Sequence, residues 1–222
     1  MTGTNPTLTL PDELVLLLHK EDGAHYPGPS VTVATGAARV GELVLRSRVA
    51  LEGRKLRVTD QSPTGLAWAD ALLAEFAKRS GDEGKPVDLS WWLSFELGTF
   101  SDHRDVLVEN GLLRKETKKF LGLLKSSHFY PDEVAREAAL TELTALARGQ
   151  REPDNRTALL GSIAHASGLD KSLGFTDAER DRLDALAKGE NLGGLVESTV
   201  KEAVELIATT MVMVTTLPGT GE

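Results

Sequence analysis

The chain has 222 residues, with 33 acidic against 25 basic side chains, a formal net charge of -8 and a pI near 5.2. That balance argues against a dedicated nucleic-acid binder and confines any polyanion site to a local patch. Hydrophobic residues make up 41% and charged residues 26% of the chain, enough apolar material for a packed core, and the absence of cysteine excludes disulfides, thiolate metal sites and cysteine nucleophiles.

Met1 to Pro6 carry neither a basic nor an apolar export signal, so the expected location is the cytoplasm. The first predicted helix opens at Pro11-Asp12-Glu13, where proline suits the first turn and the carboxylates meet the positive end of the helix dipole. Leu14 to Leu18 are apolar without a break, so this helix should be covered on most sides, and Gly23 is its expected end. Gly23 to Pro29 cannot be regular, because Pro27 and Pro29 fix φ and lack donors; the loop is a plausible wall for a site. A helix is expected over Val31 to Arg46, then a hairpin over Val49 to Val58 turning at Glu52-Gly53, made basic by Arg46, Arg48, Arg54, Lys55 and Arg57.

Leu66 to Arg79 reads as a helix and Ser80 to Pro86 as a linker. The same grammar then recurs: a helix over Arg104 to Asn110, Gly111 to end it, Leu112-Leu113, a polar turn holding Arg114, Lys115, Lys118 and Lys119 against Glu116, and a returning apolar strand from Phe120 to Leu124. Further helices are expected over Pro131 to Arg148, Asn155 to Ser167, and from Thr176, whose capping box uses Glu179, to Leu186. The last runs from about Val200 until Pro218 and Gly219; its most apolar stretch, Leu206 to Leu217, falls short of the roughly 20 residues a spanning helix needs. The sum is a mainly α protein of seven or eight helices with one or two short hairpins. It forms a single helical domain over residues 8–217, flanked by a disordered tail at 1–7 and a C-terminal tail at 218–222.

Chemistry is sparse. No Gly-x-Gly-x-x-Gly follows a strand and no phosphate-binding Gly-x-x-x-x-Gly-Lys motif is present, so no cofactor is expected. The five histidines never share the i, i+4 spacing of a metal grip, so neither is a metal. Ser101-Asp102-His103 and Ser126-Ser127-His128 hold triad residue types, but sequence neighbours point apart, so capping and loop polarity explain them. Trp91-Trp92, beside Leu93 and Phe95, read as core and interface packing. Nothing nominates an enzyme.

The order of several short blocks is more telling. Glu13 to Leu18, Glu42-Leu43-Val44-Leu45-Arg46-Ser47-Arg48, Pro63-Thr64-Gly65, Leu107-Val108-Glu109-Asn110-Gly111-Leu112-Leu113, Phe120-Leu121, and Leu159-Leu160 with Ala164-His165-Ala166-Ser167 together resemble the Golgi phosphoprotein 3 family, over about Leu8 to Ile207. The resemblance implies a helical-bundle core with an apolar hairpin. It also implies a peripheral, non-catalytic membrane protein that recognises phosphatidylinositol 4-phosphate and, in eukaryotes, sorts Golgi glycosylation enzymes. The compact, cysteine-free chain points to a bacterial member. The family's pocket tryptophan and three pocket arginines fall at or near Pro27, Gly36, Leu97 and Phe100, and none matches. Tyr26, Arg39 and Arg104 lie within a step or a turn of those positions, which makes them the candidate lipid-binding residues; the alternative is that the two arginines are ordinary solvated or paired charges.

The second hairpin matches the family's apolar hairpin. There Arg114, Lys115, Lys118, Lys119 and Lys125 flank Phe120, Leu121, Leu123 and Leu124, the pairing of charge and apolar surface that either a membrane anchor or a self-association interface needs. The partners expected are thus an anionic lipid or phosphoinositide headgroup at the inner face of a membrane, a protein partner, and a second copy joined through the hairpin, with nucleic acid excluded. A soluble protein-interaction scaffold that has lost the lipid pocket is the alternative function.

Overall fold

In the computed structural model, residues 8–26, 31–81, 83–95, 98–120, 124–192 and 194–216 are described, with backbone alone at 119, 120, 124 and 125. The mainly α expectation holds: among the described residues there are ten helices and two small antiparallel sheets. The tails at 1–7 and 218–222, with Pro27 to Pro29, lie outside the described residues.

Helix α1 (Leu10–Leu18) is central, with Leu14 to Leu18 buried, as its unbroken apolar run implies. It packs against α2 (Val31–Leu45), α5 (Thr99–Glu109), α6 (Glu133–Ala147) and α7 (Asn155–Ala166). Its start is locked by Asp12, whose Oδ2 accepts from the Thr9 amide at 2.7 Å and hydroxyl at 2.6 Å. Its other oxygen, Oδ1, faces Nε2 of buried His103 at 3.0 Å. Burial pushes the Asp12 carboxyl up, but the bonds from His103 and Thr9 outweigh it and hold it below the usual range.

The helix stops at Leu18 rather than Gly23. His19 turns extended and bridges His25, Lys20 N–H donates to the Ala24 carbonyl at 2.8 Å, and Tyr26 N–H donates to the Leu18 carbonyl at 2.9 Å. These groups are satisfied in a tight turn, so continuing the helix would gain nothing. Gly23 makes the turn possible: its φ is +83°, and a Cβ there would stand 2.9 Å from the Cβ of His128.

The first hairpin forms as expected, β1 (Val49–Glu52) with β2 (Lys55–Val58), and gains a third strand, β3 (Val87–Asp88), from the supposed linker side. Between these strands runs α3 (Ala67–Ser80), and two helices too short for a periodic signal, α4 (Leu89–Phe95) and α8 (Leu169–Ser172), raise the total above seven or eight. The helix expected from Arg104 begins five residues earlier, at Thr99. Helices α9 (Asp177–Ala187) and α10 (Ser198–Thr216) close the bundle, the first through the predicted Thr176–Glu179 capping box.

The second hairpin needs the largest correction. The cationic stretch expected to be its turn is strand β4 (Leu113–Phe120), and the return strand β5 is Leu124–Pro131. Polarity suggested a turn, yet residues 114–119 contain neither glycine nor proline, and a two-stranded ribbon whose side chains are mostly exposed beyond its buried base can be largely polar. The register pairs Arg114 with Tyr130, Lys115 with Phe129, Lys118 with Ser126 and Phe120 with Leu124.

Candidate functional site

The hairpin is pinned to the body at its base. The Phe129 amide donates to the Gly23 carbonyl at 2.9 Å, and its side chain is buried. Around that ring the structure gathers groups from four elements. Arg104, on α5, places its guanidinium carbon 3.8 Å from the Phe129 ring centre and 5.6 Å from that of Phe100, one turn earlier on the same helix. Lys115, across the strand from Phe129, holds Nζ 5.5 Å from the same centre. His19 stacks on Phe100 at 5.7 Å, and His25 meets Phe100 edge-on at 5.4 Å. Cations favour such positions because the ring faces carry negative charge.

The electrostatics are uneven. Burial pushes the Arg104 guanidinium down from its usual value, with the Asp105 charge opposing, although it stays charged at any ordinary pH. Its Nε is buried with no hydrogen-bond partner among the described residues. His19 is a neutral neighbour: burial, with smaller contributions from His25 and Arg104 and against a bond to the Val15 carbonyl, takes its pKa to about 4. On the hairpin's other face Lys118 donates to the Tyr130 hydroxyl at 2.7 Å, and Arg114 lies 4.8 Å from the Tyr130 ring centre while pairing with Glu116. Arg104, Lys115 and Lys118 therefore rest on aromatic rings, which leave their charge largely uncancelled.

The three expected lipid-binding residues do not all converge. Tyr26 is half-buried beneath Lys20 at 4.9 Å, and its neighbour His25 reaches Phe100, so this loop and Arg104 share one corner. Arg39 lies elsewhere, 5.3 Å from the Trp68 ring, which itself stands edge-on to His103. Consecutive helical residues such as His103 and Arg104 diverge by about 100°, so Arg39 and Arg104 sit on different sides of α5. Of the hairpin residues, Leu121 and Leu123 lie outside the described residues; Lys119, Phe120 and Leu124 are placed by backbone register only. Phe129, Phe100 and His19 were missed as site residues, although Phe100 and Arg104 at i, i+4 were a usable signal. The Ser101-Asp102-His103 triad does not form, since His103 pairs with Asp12 and the Ser101 hydroxyl donates to the Gly98 carbonyl, while in the second stretch Ser126 Oγ lies 3.5 Å from His128 Nε2.

A cleft of about 1290 Å³ lies beside α6 and is lined by Glu13, Glu21, Glu133, Glu137 and Glu142 with Arg114 and Arg136. Its acid excess has the wrong sign for an anion, which favours the hairpin base as the candidate site.

The Golgi phosphoprotein 3 (GPP34) family model matches residues 10–207. The chain belongs to this family. No curated protein matches it. For this Golgi phosphoprotein 3 family member, the structure explains two departures from the pocket pattern that the resemblance implied. Gly36 faces Leu93 and Trp92, and a Cβ there would already lie 2.9 Å from Leu93 Cδ2, so no arginine fits. Phe100 is buried as the ring beneath Arg104 and His19. Pro27 and Leu97 lie outside the described residues.

Proposed function

We propose that this protein attaches peripherally to membranes by binding an anionic lipid headgroup at the base of the second hairpin, phosphatidylinositol 4-phosphate being the headgroup that family resemblance favours. The carrying observation is that Arg104 and Lys115 are held to one buried ring, Phe129, and that neither is in an ion pair among the described residues, Arg104 having only the Asp105 charge nearby. Two like charges so placed repel, and the repulsion is relieved when a phosphate oxygen accepts from both. Lys118 extends the positive field along the ribbon, and the inner leaflet supplies anionic charge for it to meet. No helix among the described residues is long and apolar enough to cross a membrane, which agrees with attachment from one side.

The test is co-sedimentation with phosphatidylcholine vesicles carrying about 20% phosphatidylserine or about 5% phosphatidylinositol 4-phosphate. Binding should weaken as salt rises, and Arg104→Ala should weaken it roughly tenfold, the worth of one charge-assisted hydrogen bond. Preference for the phosphoinositide over equally charged serine vesicles would identify the headgroup. The second reading, a soluble interaction scaffold, rests on Gly36 and Phe100 filling the family's pocket positions with core; absence of binding to either vesicle at low salt would establish it over the first.

A further inference from the structure

Adjacent tryptophans on a helix point about 100° apart, and the structure divides them: Trp92 is buried, while Trp91 is 47% exposed and Phe95, one turn on, 64% exposed. The two exposed rings touch, with centres 5.1 Å apart. They are held rather than loose. The Arg79 guanidinium sits 4.9 Å from the Trp91 ring centre, and Arg79 Nε is fixed by Glu75 at 2.7 Å, the same carboxylate oxygen that accepts from Trp92 Nε1 at 3.1 Å.

The basic first hairpin abuts this helix. The Leu89 amide donates to the Arg54 carbonyl at 3.1 Å, and Arg54 Nη2 lies 3.2 Å from both the Ser90 hydroxyl and the Met213 sulfur. Of the hairpin's five cations, Arg46, Arg48 and Arg57 are engaged by Glu42, Asp60 and Glu52. The remaining two, Arg54 and Lys55, occupy the end next to α4, with Arg54 spending its donors on a hydroxyl and a thioether. Lys55 stands opposite Glu52 and Asp88 in the sheet register, so the exposed aromatic pair lies beside one cation, Arg54, that no carboxylate engages among the described residues.

We infer that Trp91 and Phe95 form a second membrane contact, an aromatic anchor that inserts into the interface of an anionic bilayer while Arg54 meets its headgroups. Tryptophan and phenylalanine beside basic residues are the composition that an interfacial contact uses, apolar burial and electrostatic attraction acting together. The positive charge of Arg54 selects an anionic bilayer over a neutral or basic surface. The inference rests on the lipid-binding reading above. It is also compatible with it in space: five residues of extended chain reach at most about 18 Å, so Phe95 lies within that distance of Phe100 at the hairpin base, inside one protein footprint.

The cysteine-free chain allows a direct test. The full-length Phe95→Cys variant, labelled with an environment-sensitive nitrobenzoxadiazole dye, is mixed with vesicles of about 30% phosphatidylserine. A blue-shifted, severalfold brighter emission that is quenched by lipid-borne nitroxide shows insertion. The paired variant Trp91→Ala/Phe95→Ser should lower vesicle affinity roughly tenfold, since both rings leave water on insertion, with its thermal midpoint confirming that it folds. If the dye does not respond while wild-type protein still sediments through Arg104 and Lys115, the anchor is refuted and the proposed function stands. If wild-type protein fails to sediment at all, both fall. Light scattering showing a lipid-free dimer that the paired variant dissociates would assign the patch to a second copy and overturn the inference.

Discussion

His19 offers the sharpest test of how the hairpin base is built. Its ring is 1% exposed, stacked on Phe100 and close to Arg104, with Nε2 buried and lacking a partner among the described residues. Burial is the main reason its pKa falls from 6.5 to about 4. In the unfolded chain the imidazole takes a proton near pH 6.5, whereas in the folded protein it stays neutral until about pH 4. The native state therefore keeps its full stability above pH 6.5 and loses it as pH falls toward 4, below which the loss is constant. At 1.36 kcal/mol per pH unit, the full loss from this residue is about 3 kcal/mol.

The assay is urea unfolding at a series of pH values between 7.5 and about 4, for the wild type and for His19→Gln. The variant gives up stacking at neutral pH, about 1 kcal/mol, but carries no group that titrates there. Its stability should consequently fall less steeply with acid, and the two curves should cross a little below pH 6. His103, whose pKa burial also lowers, acts equally in both proteins and drops out of the comparison. Parallel loss of stability in wild type and variant would refute the reasoning. It would mean that His19 is hydrated, and that the aromatic base is more open than the packing of Phe100 and Phe129 implies.

Two further substitutions probe the supports of the site. Gly23→Ala places a Cβ at a φ of +83° and against His128 and Tyr130; a cost of about 2 kcal/mol is expected, together with faster hydrogen exchange of the Phe129 amide that bonds to the Gly23 carbonyl, and unchanged exchange would refute the pinning role. Arg156 joins Glu13, Glu42 and the Leu8 carbonyl at the start of α1. Arg156→Leu should cost about 2 kcal/mol at pH 7, discounted for partial exposure. Burial already holds the Glu13 carboxyl above its ordinary value, so protonation relieves the orphaned Glu13 and the deficit should shrink as pH falls below 5; a deficit independent of pH would show that the network contributes packing alone.

Much of the architecture was legible in the chain. The unbroken run Leu14 to Leu18 gave a buried central helix, the Thr176–Glu179 box gave the start of α9, and the glycine of Glu52-Gly53 gave the first hairpin. The failures share a cause, since each depended on partners distant in sequence. Residues 114–119 look like a turn until β5 pairs with them, and α1 looks as though it should reach Gly23 until the turn at Lys20 to Ala24 docks on the second hairpin. Helices of four and seven residues carry too few turns for periodicity to reveal them.

The same division applies to the site. The sequence alone determined the family and the places where positive charge accumulates on a chain of net charge -8. Only the tertiary structure decided that Arg104 rests on Phe129 beside Lys115 while Arg39 turns to Trp68, and that Trp91 faces out where Trp92 faces in. Composition and periodicity report which residues a local element carries. Whether a cation ends against a carboxylate or an aromatic ring, and hence whether its charge stays available for an anion, depends on which surfaces the packed helices and strands bring together.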